Sequence, residues 1–146
     1  MDHRLVDILL VEDNPDHVEL TLRALRKDHL ANRVYVAKDG AEALDYLFAT
    51  GPHEGRSLSY KPRVIILDLN LPRVNGFEVL TRLRADDRTK YIPVVILTSS
   101  QQESDVETSY RLGANSYISK PLAFDRFSSA VSQLGTYWVL VNEQPA

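Results

Sequence analysis

Glu12 and Asp13, Asp68 and Lys120 each follow a short apolar run: Asp7-Ile8-Leu9-Leu10-Val11 precedes the first pair, Val64-Ile65-Ile66-Leu67 precedes Asp68, and Tyr117-Ile118-Ser119 precedes Lys120. Short apolar runs bounded by charge read as buried strands, and in an open parallel sheet ligands gather at the carboxyl ends of the strands. The carboxylates and the lysine then share one site. Clustered carboxylates repel one another, so they share protons or a cation offsets them. Oxygen donors without sulfur or imidazole favour Mg²⁺.

The elements that must position these groups follow from the pattern around them. Strand-like runs alternate with helical ones, which predicts a parallel sheet covered on both faces. After Ile8 to Val11, Asn14-Pro15 opens a helix, with Val18, Leu22 and Leu25 as its buried stripe. Val34 to Ala37 is a second strand, and Ala43, Leu44, Leu47 and Phe48 mark a second helix. Residues 50 to 62, with Gly51-Pro52 and Gly55, form a connection longer than most. Val64 to Leu67 is the third strand; Leu71-Pro72 and Asn75-Gly76 turn the chain into a helix carrying Phe77, Leu80 and Leu83. Val94 to Leu97 ends at Thr98, and Ser100 with Glu103 has capping-box spacing for a helix bearing Val106 and Tyr110 and stopped by Gly113. Ser116 to Ser119 is the fifth strand. This order predicts an α/β, flavodoxin-like, doubly wound five-stranded parallel sheet with strand order 2-1-3-4-5.

At 146 residues the chain is about one domain, long enough to bury roughly two-thirds of its unfolded surface. It has no cysteine, which excludes disulfides and thiolate metal sites, and no long apolar N-terminal core or membrane span. With 17 basic against 20 acidic residues the net charge is −3, without the basic footprint of duplex-binding modules. The expectation is a soluble cytoplasmic protein with neither nucleic acid nor membrane as a direct partner. His3, His17, His29 and His53 fall at no metal-ligand spacing and read as ordinary surface residues.

Val-Glu-Asp-Asn, Leu-Asp-Leu-Asn-Leu-Pro with Asn75-Gly76, Pro-Val-Val-Ile-Leu-Thr and Ser-Lys-Pro occur in the order found in response-regulator receiver domains, and residues 5–134 resemble that family. A single acidic residue after a strand is most often a solvated helix cap; the combination is what carries the resemblance. It implies that Asp68 accepts a phosphoryl group from a sensor histidine kinase as an acyl phosphate. It also implies that Glu12, Asp13, Asp68 and the backbone carbonyl of Asn70 serve Mg²⁺, Glu12 through a metal-bound water, and that Lys120 pairs with the phosphoryl group. Thr98 and Tyr117 match the family's switch pair, the hydroxyl drawing its loop inward and the ring turning toward the vacated space. Asn70 and Ser100 stand where the family controls access of water. Pro121 suggests a cis peptide after Lys120.

Beyond Leu134 the chain continues Gly135-Thr136-Tyr137-Trp138-Val139-Leu140-Val141, and residues 135–146 read as a C-terminal extension or dimerisation arm rather than an output domain. Phe127, Val131, Leu134, Trp138 and Val141 have the spacing of a helical seam, interrupted by Gly135, which either continues the helix or ends it and releases an extended arm. The expectation is a homodimer through this helix and tail. The Tyr-Trp tail, the Asp-Leu-Asn-Leu-Pro acceptor motif and the long loop before the third strand are similar to stand-alone receivers that accept phosphate from bacterial phytochrome histidine kinases.

Other classes fit less well. A haloacid-dehalogenase-type phosphatase needs a second aspartate two places after its nucleophile, where this chain has Asn70, and its nucleophile normally follows the first core strand. A flavin carrier of the same fold needs a glycine-rich or hydroxyl-rich phosphate cradle, and Glu12-Asp13-Asn14-Pro15-Asp16 is acidic. A receiver-like interaction module without phosphorylation would not need Asp13, Asp68 and Lys120 together. The reading is therefore a phosphoacceptor signalling protein, not an enzyme with turnover, although catalysis of its own phosphorylation and dephosphorylation is compatible with it.

Overall fold

A computed structural model describes residues 6–57, 60–120 and 123–145. Five strands, β1 (Ile8–Val11), β2 (Val34–Ala37), β3 (Val64–Leu67), β4 (Val94–Thr98) and β5 (Ser116–Ser119), alternate with helices α1 (Pro15–Arg26), α2 (Gly40–Phe48), α3 (Gly76–Ala85), α4 (Glu103–Arg111) and α5 (Phe124–Gly135). The sheet is parallel throughout, in the order β2-β1-β3-β4-β5. This is the fold expected from the sequence.

Alternation along the buried strands divides the core into two layers. Leu9, Val11, Ile65, Leu67, Val94 and Ile96 face α2 and α3, where Ala43, Leu47, Val79, Leu80 and Leu83 cover them. Ile8, Leu10, Val64, Ile66, Val95 and Leu97 face α1 and α5, meeting Ala24, Leu25, Phe127, Val131 and Leu134. Register then sets the strand ends: Val11 lies beside Leu67, so Glu12 and Asp68 emerge side by side, while Thr98 lies beside Ser119, one residue before Lys120.

Three local expectations are corrected. On α1 the buried positions are Thr21, Ala24 and Leu25, whereas Leu22 lines a surface crevice with Arg26 and His29. Thr21 can be buried because its hydroxyl donates to the His17 carbonyl at 2.8 Å. The Ser100/Glu103 capping box does not form. Helix α4 starts at Glu103 with Gln102 at its cap, and the Ser100 hydroxyl instead donates to Asp105 at 2.5 Å. On the same helix Ser109 faces inward and Tyr110 is exposed.

At the C-terminus Gly135 neither breaks the helix nor releases an arm. It stays right-handed, at φ −62° and ψ −48°, and a Cβ there would come within 2.7 Å of Leu25. Glycine here permits close approach of α5 to α1. The helix then widens into a π-helical segment, Thr136–Val141, closed by the Asn142 N–H donating to the Tyr137 carbonyl at 2.8 Å. That wider turn shifts the apolar seam. Phe127, Val131 and Leu134 cover the chain's own sheet, Trp138 packs partly against it, and Val139 rather than Val141 is buried. Tyr137, Leu140 and Val141 remain exposed. Beyond them the Gln144 amide donates to the carbonyls of Pro62 and Arg63, at the pole opposite Asp68.

The long connection between α2 and β3 is anchored by Arg56, whose guanidinium donates to the carbonyls of Tyr46, Leu47 and Tyr60 and sits 4.3 Å above the Tyr46 ring. Tyr46 stacks on Tyr35, and His53 bonds the Tyr35 hydroxyl at 2.9 Å. His53 is therefore a packing residue and not a loose surface group.

Candidate functional site

Short hydrogen-bonded caps deliver the site's groups. Asn14 caps α1, its side-chain oxygen accepting from the N–H groups of Asp16 and His17 at 2.9 and 3.3 Å, and Pro15 enters the first turn. Asn75 caps α3 in the same way through the N–H of Glu78. These helix starts leave Glu12, Asp13 and Asp68 on the short stretches between strand and helix.

Carboxylate oxygens of Glu12, Asp13 and Asp68 lie within 4.8 Å of one another. Glu12 and Asp68 are buried; Asp13 faces solvent. Lys120, buried as well, donates to Glu12 Oε1 at 2.5 Å and to Asp68 Oδ2 at 3.0 Å. The second Asp68 oxygen accepts the Asn70 N–H at 3.2 Å, and the Thr98 hydroxyl helps to lower the pKa of this carboxyl. An open crevice lined by Asn70, Ser99, Ser100, Gln101, Gln102 and Asp105 adjoins it. Thr98 Oγ1 accepts the Ser100 N–H at 3.4 Å, and the Ser100 carbonyl accepts the Tyr117 hydroxyl at 3.0 Å. The sequence-assigned residues Glu12, Asp13, Asp68, Asn70, Thr98, Tyr117 and Lys120 thus occupy one end of the sheet. The bond between Lys120 and Pro121 lies outside the described residues.

Burial separates the two buried carboxylates. For Glu12 the loss of solvent dominates, aided by the neighbouring Asp68 charge, and outweighs the Lys120 contact, so its pKa rises to about 7. For Asp68 burial pushes upward too, but the Lys120 charge and hydrogen bond, with the Thr98 and Asn70 bonds, outweigh it and hold the carboxyl below its ordinary value. The pair is thus pushed apart, Glu12 toward the protonated form and Asp68 toward the ionised one. A cluster built of oxygen donors, one open to water, fits a hard divalent cation that retains several waters.

One site residue was missed from the sequence. His17 Nδ1 lies 2.8 Å from the Lys120 Nζ and 3.8 Å from Glu12 Oε1. Burial, then the Lys120 charge, lower its pKa. The sequence signal was its place in the first turn of α1, a helix whose start faces the strand ends.

Comparison with known proteins agrees with this architecture. Residues 8–132 match the family model of the response regulator receiver domain. The solved bacteriophytochrome response regulator AtBRR is 51% identical, with a TM-score of 0.74, over 96% of this chain and 99% of that one. The phosphorylated cyanobacterial phytochrome response regulator RcpA is 36% identical with a TM-score of 0.87, covering 95% and 97% of the two chains. A probable methanogenesis regulatory protein, FilR2 of Methanothrix harundinacea (strain 6Ac), is 41% identical over 94% of this chain and 86% of its own length. The strand-end carboxylates, the facing lysine and the 2-1-3-4-5 sheet are thus those of a chain that belongs to the response regulator receiver domain family.

Proposed function

We propose that this protein is a single-domain response regulator that accepts a phosphoryl group on Asp68 from a sensor histidine kinase. The observation that carries this is the buried Asp68 carboxylate with Lys120 Nζ at 3.0 Å and the Glu12 and Asp13 carboxylates within 4.8 Å. In transfer, an Asp68 oxygen forms the bond to phosphorus while the donor's bond breaks and its electron pair leaves with the donor. Lys120 offsets the charge on the transferred oxygens. Asp13 and Asp68, with the Asn70 carbonyl and with Glu12 through a water, would hold Mg²⁺, which supplies charge neutralisation between carboxylate and phosphoryl oxygens. Residues 5–134 form the receiver and 135–146 an extension of it. Incubation with a small acyl-phosphate or phosphoramidate donor and Mg²⁺, followed by intact mass, tests the reading: a gain of one phosphoryl group is expected, and no gain refutes it.

Because Glu12 holds a proton up to about 7, ion binding that needs its carboxylate displaces that proton. Mg²⁺ affinity should therefore rise with pH, by up to about tenfold per unit below that value, and flatten above it. Calorimetric titrations at pH 6, 7 and 8 check this; affinity independent of pH would exclude Glu12 from the site.

Thr98 and Tyr117 transmit the phosphoryl state through Ser100, whose N–H and carbonyl join them. Thr98→Ala should still be phosphorylated, since it removes neither nucleophile nor metal ligand, but hydrogen exchange around Tyr117 should respond less. A full response would route the coupling elsewhere.

The phytochrome response regulators among its relatives support a bacterial phytochrome kinase as partner, and the absence of a membrane-spanning helix among the described residues supports a cytoplasmic setting. Homodimerisation through the C-terminal helix and tail uses the outward residues Tyr137, Leu140 and Val141, because Phe127, Val131 and Leu134 are spent on the chain's own core. Leu140→Asp with Val141→Asp should weaken the dimer about 100-fold or more, given roughly 1.5 to 3 kcal/mol per buried side chain. Light scattering over a concentration series reads this; a wild-type protein that stays monomeric refutes the dimer.

A further inference from the structure

Among the described residues, Lys120 is the one buried lysine, and its ammonium has three acceptors within reach: Glu12 Oε1 at 2.5 Å, His17 Nδ1 at 2.8 Å and Asp68 Oδ2 at 3.0 Å. An ammonium offers three N–H donors and no acceptor, so each bond has its match. His17 Nδ1 must be the lone-pair nitrogen, and the ring proton sits on Nε2. We infer that His17 is a positioning residue for phosphoryl transfer, holding the Lys120 ammonium between the two buried carboxylates with an acceptor that carries no charge. The inference rests on Asp68 being the phosphoacceptor.

The choice of a neutral acceptor follows from the charges present. Glu12, Asp13 and Asp68 already crowd three carboxyl groups around one lysine. A carboxylate at position 17 would tie the lysine more strongly and add a fourth acidic group where an anionic phosphoryl group must enter. With only water there, a flexible four-carbon side chain would be held by Glu12 and by the very carboxylate that must react, with no third fixed acceptor when the Asp68 bond is given up. During transfer Asp68 gives up negative charge as its oxygen bonds phosphorus, and the donor's leaving group departs with the electron pair and takes a proton from solvent. The N–H released by Asp68 turns to a phosphoryl oxygen, while the bonds to Glu12 and His17 keep Nζ in place. Such prepositioning lowers the cost of reorganising charge during the step. The Asn14 cap, which accepts the His17 N–H, fixes the backbone from which the ring reaches the lysine.

The test compares His17→Phe, which keeps the ring and removes the acceptor, with His17→Asn, whose side-chain oxygen takes the place of Nδ1. With a small acyl-phosphate donor, His17→Phe should label about tenfold more slowly, the loss expected for one hydrogen bond to a charged group, and His17→Asn within roughly twofold of wild type. A second readout does not depend on phosphorylation: the ¹⁵N-lysine ammonium resonance of Lys120, assigned by its loss in Lys120→Met. It should be protected from solvent exchange in wild type and His17→Asn and broadened in His17→Phe. Equal labelling by all three proteins overturns the inference, as does an equal loss in both variants. Slower labelling of His17→Phe with an unchanged ammonium resonance overturns it too, because the histidine would then act without Lys120. If wild type takes up no phosphoryl group, the phosphoacceptor reading fails, and the resonance alone decides whether His17 positions the lysine.

Discussion

Asp68→Asn is expected to take up phosphoryl groups from a small donor at a rate lower by on the order of 10³-fold or more, the scale of removing a nucleophile outright. The substitution keeps the shape of the side chain and one oxygen for Lys120 while removing the charge that makes the oxygen nucleophilic. Lys120, with Thr98 and the Asn70 N–H, favours the ionised form of Asp68 in the wild type. The variant should remain folded, since Lys120 retains Glu12 and His17. Intact mass after incubation with donor and Mg²⁺ gives the extent, and peptide mapping gives the position. Labelling of Asp68→Asn at the wild-type rate would move the acceptor to another residue.

Gly76→Ala is expected to be strongly destabilising and to disturb the site directly. Gly76 opens α3, and a Cβ there would lie 2.4 Å from the Asp68 carbonyl oxygen and 2.7 Å from the Leu69 Cα. Both are backbone atoms, so no side chain can swing aside. Relief requires α3 to move away from the end of β3, separating Leu80 and Leu83 from the sheet and shifting Asp68 against Lys120. Overpacking of this kind costs about 3 kcal/mol, at the upper end of its usual range. For a chain of this length that lowers the thermal midpoint by roughly 6 to 12 °C. Phosphorylation should slow as well. A midpoint within one or two degrees of wild type would show that α3 can shift freely.

The strands and their order were legible because each buried strand is an apolar run ending in a charged or hydroxyl residue, a pattern confined to a few neighbouring positions. Glu12, Asp68 and Lys120 were legible for the same reason. His17 was not, because its meaning lies in a contact with a residue 103 positions away. The α4 cap was misread because Ser100 has a stronger local partner in Asp105, and a spacing rule does not weigh competing acceptors. Leu22 and Val141 were misread for geometric reasons. A buried threonine that bonds its own helix backbone displaced the first, and a widened turn rotated the second outward. Gly135 left two readings open; what decided between them was the proximity of Leu25, contributed by a different helix.

The lysine of the site directly follows the last strand, 108 residues after Glu12 and 52 after Asp68. During synthesis the N-terminal portion emerges first, and non-local contacts of this separation form late in folding. A nascent chain that has folded β1 and β3 together holds its acidic cluster without a buried cation, and docking of β5 brings in the ammonium that offsets part of that negative charge. A molecule truncated before residue 120, or one whose last strand has peeled away, therefore leaves Glu12 and Asp68 side by side without the ammonium that bonds both.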